Sequence, residues 1–404
     1  MRILFLSTCF PHPAFPVTGT YNLHLCRALA HQHQVRVWGL LPWTHTIRGA
    51  NRPQINPQQW ADQTQGLQVE HPVYFYPPGC LRDHYGWMMW ASVRRRLERM
   101  LRTFTPDCVV SYWAHPDGEL GLRIADRLGV PSAVIIGGSD VLVLTRNVTR
   151  RRRIEHVLQN SSAVITVSDG LRQRVMDLGV ASTNAHTIYQ GIDPQSFCPG
   201  DATAARHKLG LPADRRILAW IGRMVPVKQL DVLLAACSVL RRQRADWTLY
   251  LLGDGPLRGQ LQREIQQRNL DDCVRLAGSV PQPELPDWYR AADLTVLSSA
   301  SEGLPNVLRE SLACQTPFVS TDVGSIREIA DPKYSILVPA ADSQALADAL
   351  DRGLAGQLQQ ATRNYTARTW SDCADDFTNL LQMLQAPLPP QQPAPPQPTA
   401  SLTL

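Results

Sequence analysis

Paired cysteines, long apolar runs and a strong excess of one charge are all missing from this chain. Its nine cysteines are scattered, odd in number and never spaced as CxxC. That argues against a disulfide framework and against a zinc site. Reduced thiols in the cytosol are expected. No run approaches the ~18 apolar residues of a membrane span. The apolar run within Met1–Phe10 is only about six residues long, shorter than a secretory h-region of roughly 7–15, and no small-residue cleavage site follows. It reads as a buried first strand. The net charge of +5 in 404 residues is mild. It suits anionic ligands or a membrane surface and does not demand nucleic acid. A cytoplasmic protein is expected, with peripheral contact at the inner membrane face as an open addition.

What the chain has throughout is alternation. Short apolar runs (Ile3–Leu6, Val35–Leu41, Cys108–Tyr112, Ser132–Ile136, Ala163–Val167, Ile217–Ile221, Thr248–Leu252, Leu294–Leu297) take turns with amphipathic stretches such as Tyr21–Ala30, Gly118–Leu128, Leu230–Arg242, Arg258–Arg268 and Asn306–Ala313. This order builds an α/β fold with parallel sheets covered on both faces. Strands buried on both faces read as solid apolar runs, and these do. The alternation restarts near Ile217, after a Pro/Gly/Asp-rich passage around 191–215. We therefore expect two doubly wound, Rossmann-like domains, 1–190 and 191–385, facing each other across a cleft. Ligands of such sheets bind beyond the carboxyl ends of the strands. Residues 386–404 are rich in proline and are expected to form a disordered or polyproline-like tail.

One segment stands apart. Gly86-Trp-Met-Met-Trp90 runs into Arg94-Arg-Arg-Leu-Glu-Arg-Met-Leu-Arg102, and Arg146 with Arg150–Arg153 forms a second basic cluster. An aromatic, arginine-rich helix can lie on an anionic membrane. It can equally pack its apolar side inward and leave the arginines solvated. The sequence leaves both readings open.

Three loops of the second half follow strands and carry the chemistry. Gly222-Arg-Met-Val-Pro-Val-Lys228 places Arg223 and Lys228 at a sheet mouth, where two cations can hold two phosphates. Gly253-Asp-Gly255 is a tight turn that either lines a nucleotide or is purely structural. Ser298–Ser311 contains Glu302, Gly303, Leu304, Pro305, Asn306, Val307 and Glu310. Pro305 stands where a helix can begin, and a helix N-terminus is a ready anion site. Glu302 lies in the loop and Glu310 about a turn inside the helix. Two carboxylates at different depths can each accept hydrogen bonds from paired hydroxyls, one pair on a hexose and one on a ribose. The three loops together suit a sugar joined to a nucleoside diphosphate. In the first half, the loop to Gly19 and Thr20 opens on the same cleft. His115 or Asp117 can position or deprotonate an acceptor hydroxyl, and Asp140 either caps the next segment or faces the cleft.

At these residues the sequence resembles the family-4 retaining glycosyltransferases of the GT-B fold, over most of residues 1–385. The resemblance rests on the Gly19 loop, Pro116-Asp-Gly, Gly-Ser-Asp140, Val167-Ser-x-Gly170, Gln190-Gly-Ile-Asp193-Pro, Gly222-Arg223 with Lys228, Gly253-Asp-Gly255 and the Glu302-x7-Glu310 pair. It implies that Arg223 and Lys228 neutralise the leaving diphosphate. It also implies that Glu310 holds the ribose, Glu302 the donor sugar, and the backbone of Gly303–Asn306 the sugar and phosphates. It further implies retention, no metal and no other cofactor, a glycan, lipid-linked or small-molecule acceptor, and a helix from Trp370 that crosses back to the first domain. Two positions depart from the pattern. Gly137 stands where relatives often carry His or Arg, and Gln229 where they often carry glycine. Two other functions fit parts of the pattern: a nucleotide-sugar epimerase of the same fold, and a non-catalytic nucleotide-binding scaffold.

Overall fold

Every side chain of Ile3–Leu6 is fully buried, and only a sheet covered on both faces buries such a run. The computed structural model describes residues 1–49, 55–358 and 365–385, so the proline-rich tail lies outside the described residues. Among the described residues fifteen strands follow in chain order: β1 (Arg2–Ser7), β2 (Gln34–Gly39), β3 (Leu41–Pro42), β4 (Gln68–Glu70), β5 (Val73–Tyr74), β6 (Cys108–Tyr112), β7 (Ser132–Ile136), β8 (Ala163–Thr166), β9 (Ala185–Thr187), β10 (Arg216–Ile221), β11 (Trp247–Leu252), β12 (Val274–Gly278), β13 (Leu294–Leu297), β14 (Phe318–Thr321) and β15 (Ser335–Val338).

The first domain is a parallel sheet in the order β4-β2-β1-β6-β7-β8-β9, and the second a parallel sheet in the order β12-β11-β10-β13-β14-β15. β3 and β5 form a small separate pair. Each large sheet reverses its winding once, between β1 and β6 and between β10 and β13. Those switch points are where such folds open a crevice for ligands. Each domain has its own apolar core. The passage around 191–215 is not a bare linker. It contains the helix Ala202–Leu209, capped by the Asp201 carboxylate on the Ala204 N–H at 2.7 Å. Arg206 of that helix pairs with Asp293 at 2.7 Å and so fastens it to the second domain.

The helix Trp370–Gln385 buries Cys373, Ala374, Phe377, Leu380 and Leu381 in the core of the first domain. Each large apolar side chain so placed contributes about 1.5–3 kcal/mol of transfer free energy. The chain thus crosses between domains twice, and the crossings run side by side. The Ile192 N–H donates to the Arg368 carbonyl at 2.8 Å. A Cβ on Gly191 would lie 2.3 Å from the Trp370 nitrogen, so only glycine fits there.

The helix Tyr85–Met100 turns Met89, Val93, Leu97 and Met100 inward. Arg94, Arg95 and Arg99 are exposed, and so is Trp87. Among the described residues no helix is long and apolar enough to cross a membrane.

Candidate active site

The second-domain half of the site is stitched together by small residues. The Ala300 N–H donates to the Val227 carbonyl at 2.8 Å, and the Ser298 hydroxyl to the Lys228 carbonyl at 2.8 Å. Those two bonds hold the loop after β10 against the loop after β13. As a result Lys228 Nζ meets Glu302 Oε1 at 2.5 Å, and the Ser299 hydroxyl donates to the same oxygen at 2.5 Å. Both bonds fall on the one carboxylate oxygen. Arg223 is exposed and unpaired among the described residues.

The glycines of the two earlier loops answer to each other. A Cβ on Gly253 (φ 137°) would lie 1.8 Å from the Gly222 carbonyl oxygen, and one on Gly255 would lie 2.4 Å from that of Met224. The Met224 N–H also donates to the Asp254 carbonyl at 2.9 Å. Gly253 and Gly255 are thus required by loop-on-loop packing, which fixes the rim that carries Arg223. Gln229 occupies the left-handed region (φ 44°, ψ 49°) just before the helix Leu230–Gln243, a conformation that glycine adopts without strain. Its buried Oε1 also has no hydrogen-bond partner among the described residues. We expect Gln229→Gly to raise unfolding stability by about 1 kcal/mol, the strain relieved exceeding the entropy glycine adds to the unfolded chain. Urea titration reads this, and an unchanged or lower midpoint would count against the strain.

Pro305 is the residue before the helix Asn306–Ala313, and no side chain caps that N-terminus. Glu310 sits one turn in. The Tyr289 hydroxyl donates to its Oε2 at 2.8 Å. Burial holds its carboxyl above the usual range, opposed by Tyr289 and Arg309. Glu310 and Asn306 share a small pocket with Thr20, Tyr21, His24 and Asp193, so residues singled out in both halves of the sequence do meet. Arg309, which the sequence did not mark, is almost fully buried. It donates to Asn306 Oδ1 at 3.2 Å and to the Gln190 carbonyl. Asn306 in turn donates to Gln190 Oε1 at 3.0 Å. These bonds tie the helix to the interdomain crossing.

In the first domain the candidate residues lie deeper. Gly19 (φ 68°) packs so closely on the loop after β1 that a Cβ would come within 2.0 Å of the Cys9 carbonyl oxygen. His115 has no exposed surface, and its Nε2 is 3.6 Å from Glu119 Oε2. Burial, with Arg150 and Arg153 nearby, pulls its pKa down to about 4. It is neutral at physiological pH and does not open on the cleft. Asp140 is also fully buried, and its Oδ1 accepts from the Gly138 N–H at 2.9 Å and the Val141 N–H at 3.2 Å. These bonds shape the turn Gly137–Ser139. That turn reaches the other domain: a Cβ on Gly303 would lie 2.8 Å from the Gly137 carbonyl oxygen. A Cβ on Gly137 would itself lie 2.2 Å from the Tyr112 hydroxyl, which accounts for glycine at this departure from the pattern.

Asp117 lies beneath the same loops. Its Oδ2 accepts from the Thr8 N–H at 2.7 Å and the Thr8 hydroxyl at 2.9 Å, while its Oδ1 has no partner among the described residues. Burial pushes Asp117 up to about 7 and Asp140 up to about 6. The sign follows from proton counting. Between about pH 4, where an unfolded aspartate ionises, and about pH 7, the unfolded chain holds fewer protons than the native one. Stability therefore falls as pH rises through that window. Asp117→Asn should flatten the fall. Melting curves from pH 5 to 8 that stay parallel to wild type would show that Asp117 does not titrate there.

Among the described residues, no His, Cys, Asp and Glu side chains gather as a metal-holding group. Residues 18–196 match the family described as glycosyltransferase family 4, and residues 215–355 match the glycosyl transferases group 1. The D-inositol 3-phosphate glycosyltransferase of Thermobispora bispora is 35% identical over 327 residues, covering 73% of this chain and 75% of the relative. TuaC of Bacillus subtilis, whose name places it among the glycosyltransferases of teichuronic acid biosynthesis, is 29% identical over 375 residues, covering 87% and 89%. Among solved structures, sucrose-phosphate synthase from Thermosynechococcus elongatus superposes with a TM-score of 0.76 at 21% identity, covering 95% of this chain and 99% of that one. HepE of Anabaena, in complex with UDP and glucose, gives 0.72 at 18% identity, covering 95% and 99%. These neighbours share the GT-B arrangement of two Rossmann-like domains across a cleft. With relatives of this identity and coverage, the chain belongs to the group 1, family 4 glycosyltransferases.

Proposed function

We propose that this protein moves a hexose-type sugar from a nucleoside-diphosphate sugar to an acceptor hydroxyl with retention of configuration. The acceptor is a glycan, a lipid-linked sugar or a small molecule, and the setting is the synthesis of a cell-surface polysaccharide or glycolipid. The observation that carries this reading is the Lys228–Glu302 contact at 2.5 Å on the switch point of the second sheet. It puts a cation and a sugar-gripping carboxylate on one spot. Glu310 supplies the ribose grip one turn deeper. Relatives named for teichuronic acid and inositol phosphate chemistry, and a neighbour holding UDP and glucose, support the substrate class.

In this reading Arg223 and Lys228 take up the charge that grows on the departing diphosphate, so the step needs no metal ion. The uncapped N-terminus of the helix that begins at Asn306 adds its dipole. The acceptor oxygen attacks from the face the diphosphate leaves, and its proton passes to a diphosphate oxygen. The protein's part is orientation and electrostatic stabilisation of an oxocarbenium-like state. Asp140 contributes by shaping the Gly137–Ser139 turn. Trp87 and the exposed arginines of its helix support a peripheral contact with an anionic membrane, which suits a lipid-linked acceptor.

The test is a panel of nucleotide sugars incubated with the full chain, following diphosphate release and the fate of the sugar. Slow release with free sugar supports a transferase lacking its acceptor. An interconverted donor indicates an epimerase instead. Binding without turnover, unchanged in Arg223→Ala, leaves a scaffold and sinks the proposal.

A further inference from the structure

A contact between the domains lies outside the donor site and is built with unusual completeness. The Glu328 carboxylate, from the second domain, caps the helix Asp169–Asp177 of the first. Its Oε2 accepts from the Asp169 N–H at 3.0 Å and its Oε1 from the Gly170 N–H at 2.8 Å. A carboxylate is favoured there by the free N–H groups and the positive end of the helix dipole. The Tyr189 hydroxyl lies 2.9 Å from Glu328 Oε2 and 3.1 Å from Asp169 Oδ2, bridging two like charges. Beside it the buried Ser325 and Ser168 hydroxyls meet at 2.8 Å. Gly170 has no room for a side chain, because a Cβ would lie 2.6 Å from Ser325 Oγ.

The same turn touches the sugar-gripping loop. The Ser325 N–H donates to the Gly303 carbonyl at 3.1 Å. Gly324 (φ 58°) approaches so closely that a Cβ would lie 2.0 Å from the Glu302 carbonyl oxygen. Leu304, next in that loop, is buried in the apolar core of the first domain. One short turn therefore has the Glu302–Gly303 backbone on one side and the opposite domain on the other.

We infer that Glu328 is a positioning residue for sugar transfer: it latches the Glu302–Leu304 loop to the first domain and so sets the donor sugar against the acceptor side. This rests on the proposed role of Glu302 as the sugar grip. The main-chain amides Glu328 holds belong to the other domain, so the bonds exist only when the domains are drawn together. The ribose grip at Glu310, oriented by Tyr289, uses none of these bonds. Loss of the latch thus separates two quantities, nucleotide affinity and turnover.

The experiment uses the full chain and breaks the contact from either side, with Glu328→Ala and with Gly170→Ala. Solution X-ray scattering of the nucleotide-free protein should show a larger radius of gyration in both. With the nucleotide sugar the panel identifies, kcat should fall about ten-fold, because small misplacements of reacting atoms are heavily penalised, with the KM for that donor nearly unchanged. Glu302→Gln is measured in parallel. If Glu302→Gln keeps full turnover, or no sugar is turned over at all, the site reading fails, and scattering alone then decides whether the latch exists. If Glu302→Gln is inactive while both latch variants scatter and turn over like wild type, the latch is refuted and the site stands. A change in scattering without a fall in kcat, or the reverse, also overturns it.

Discussion

Replacing Lys228 by alanine is expected to lower kcat by about 100- to 1000-fold, the range seen when one preorganised charge-stabilising donor is removed. The argument is local. Lys228 is held in place by its own main chain, whose carbonyl accepts the Ser298 hydroxyl at 2.8 Å, and that bond survives the substitution. What disappears is the ammonium beside Glu302. In a partly buried site such a charge acts at short range on the phosphate that departs, where solvent screens it least. Because the departing charge exists mainly in the transition state, the loss should fall on kcat more than on KM. Steady-state diphosphate release with the donor identified from the panel measures it. A Lys228→Ala enzyme with wild-type kcat would remove the electrostatic core of the mechanism.

The second large effect is on binding. Glu310→Ala is expected to weaken nucleotide affinity roughly 10- to 100-fold, corresponding to the loss of hydrogen bonds to a charged acceptor at about 1.5–3 kcal/mol. Glu310 is presented one turn into the helix Asn306–Ala313 and oriented by the Tyr289 hydroxyl. Arg309 locks the start of that helix to Gln190. Calorimetric titration with UDP, and with the nucleotide of any donor the panel selects, gives the affinity. Arg94→Ala, an exposed change on a distant helix, is the reference. Equal affinities for the two variants would mean that Glu310 does not hold the nucleoside.

Much of this architecture was readable from residue order because it rests on local rules. The solid runs Cys108–Tyr112, Ser132–Ile136 and Leu294–Leu297 are strands over those same residues, and Asn306–Ala313 is a helix over the same eight. Strands such as Val274–Gly278 are harder to read, because alternate residues there are partly exposed and the run is not solidly apolar. The loop glycines were visible, but not their reason. Gly253 is dictated by a carbonyl 31 positions earlier, and nothing near it in sequence says so. His115 illustrates the opposite problem. A histidine after a strand looks available for chemistry, and only the packing of other segments shows that it is enclosed beside Glu119. Glu328 carried no local signal at all. It is an exposed carboxylate on a short turn, and its meaning lies in two amides of a different domain.

The last helix has a consequence for how the chain is made. Phe377, Leu380 and Leu381, with Cys373 and Ala374 of the same helix, complete the apolar interior of a domain whose other buried members, Leu304 apart, were synthesised before the second domain began. While the ribosome is still producing residues 191–369, that interior has an uncovered face along the helix Thr20–Ala30, and exposed apolar surface of this kind invites aggregation. The first domain to emerge is therefore the last to be finished, and a chain released early, before Trp370, is left with a complete second sheet and an unsealed first one.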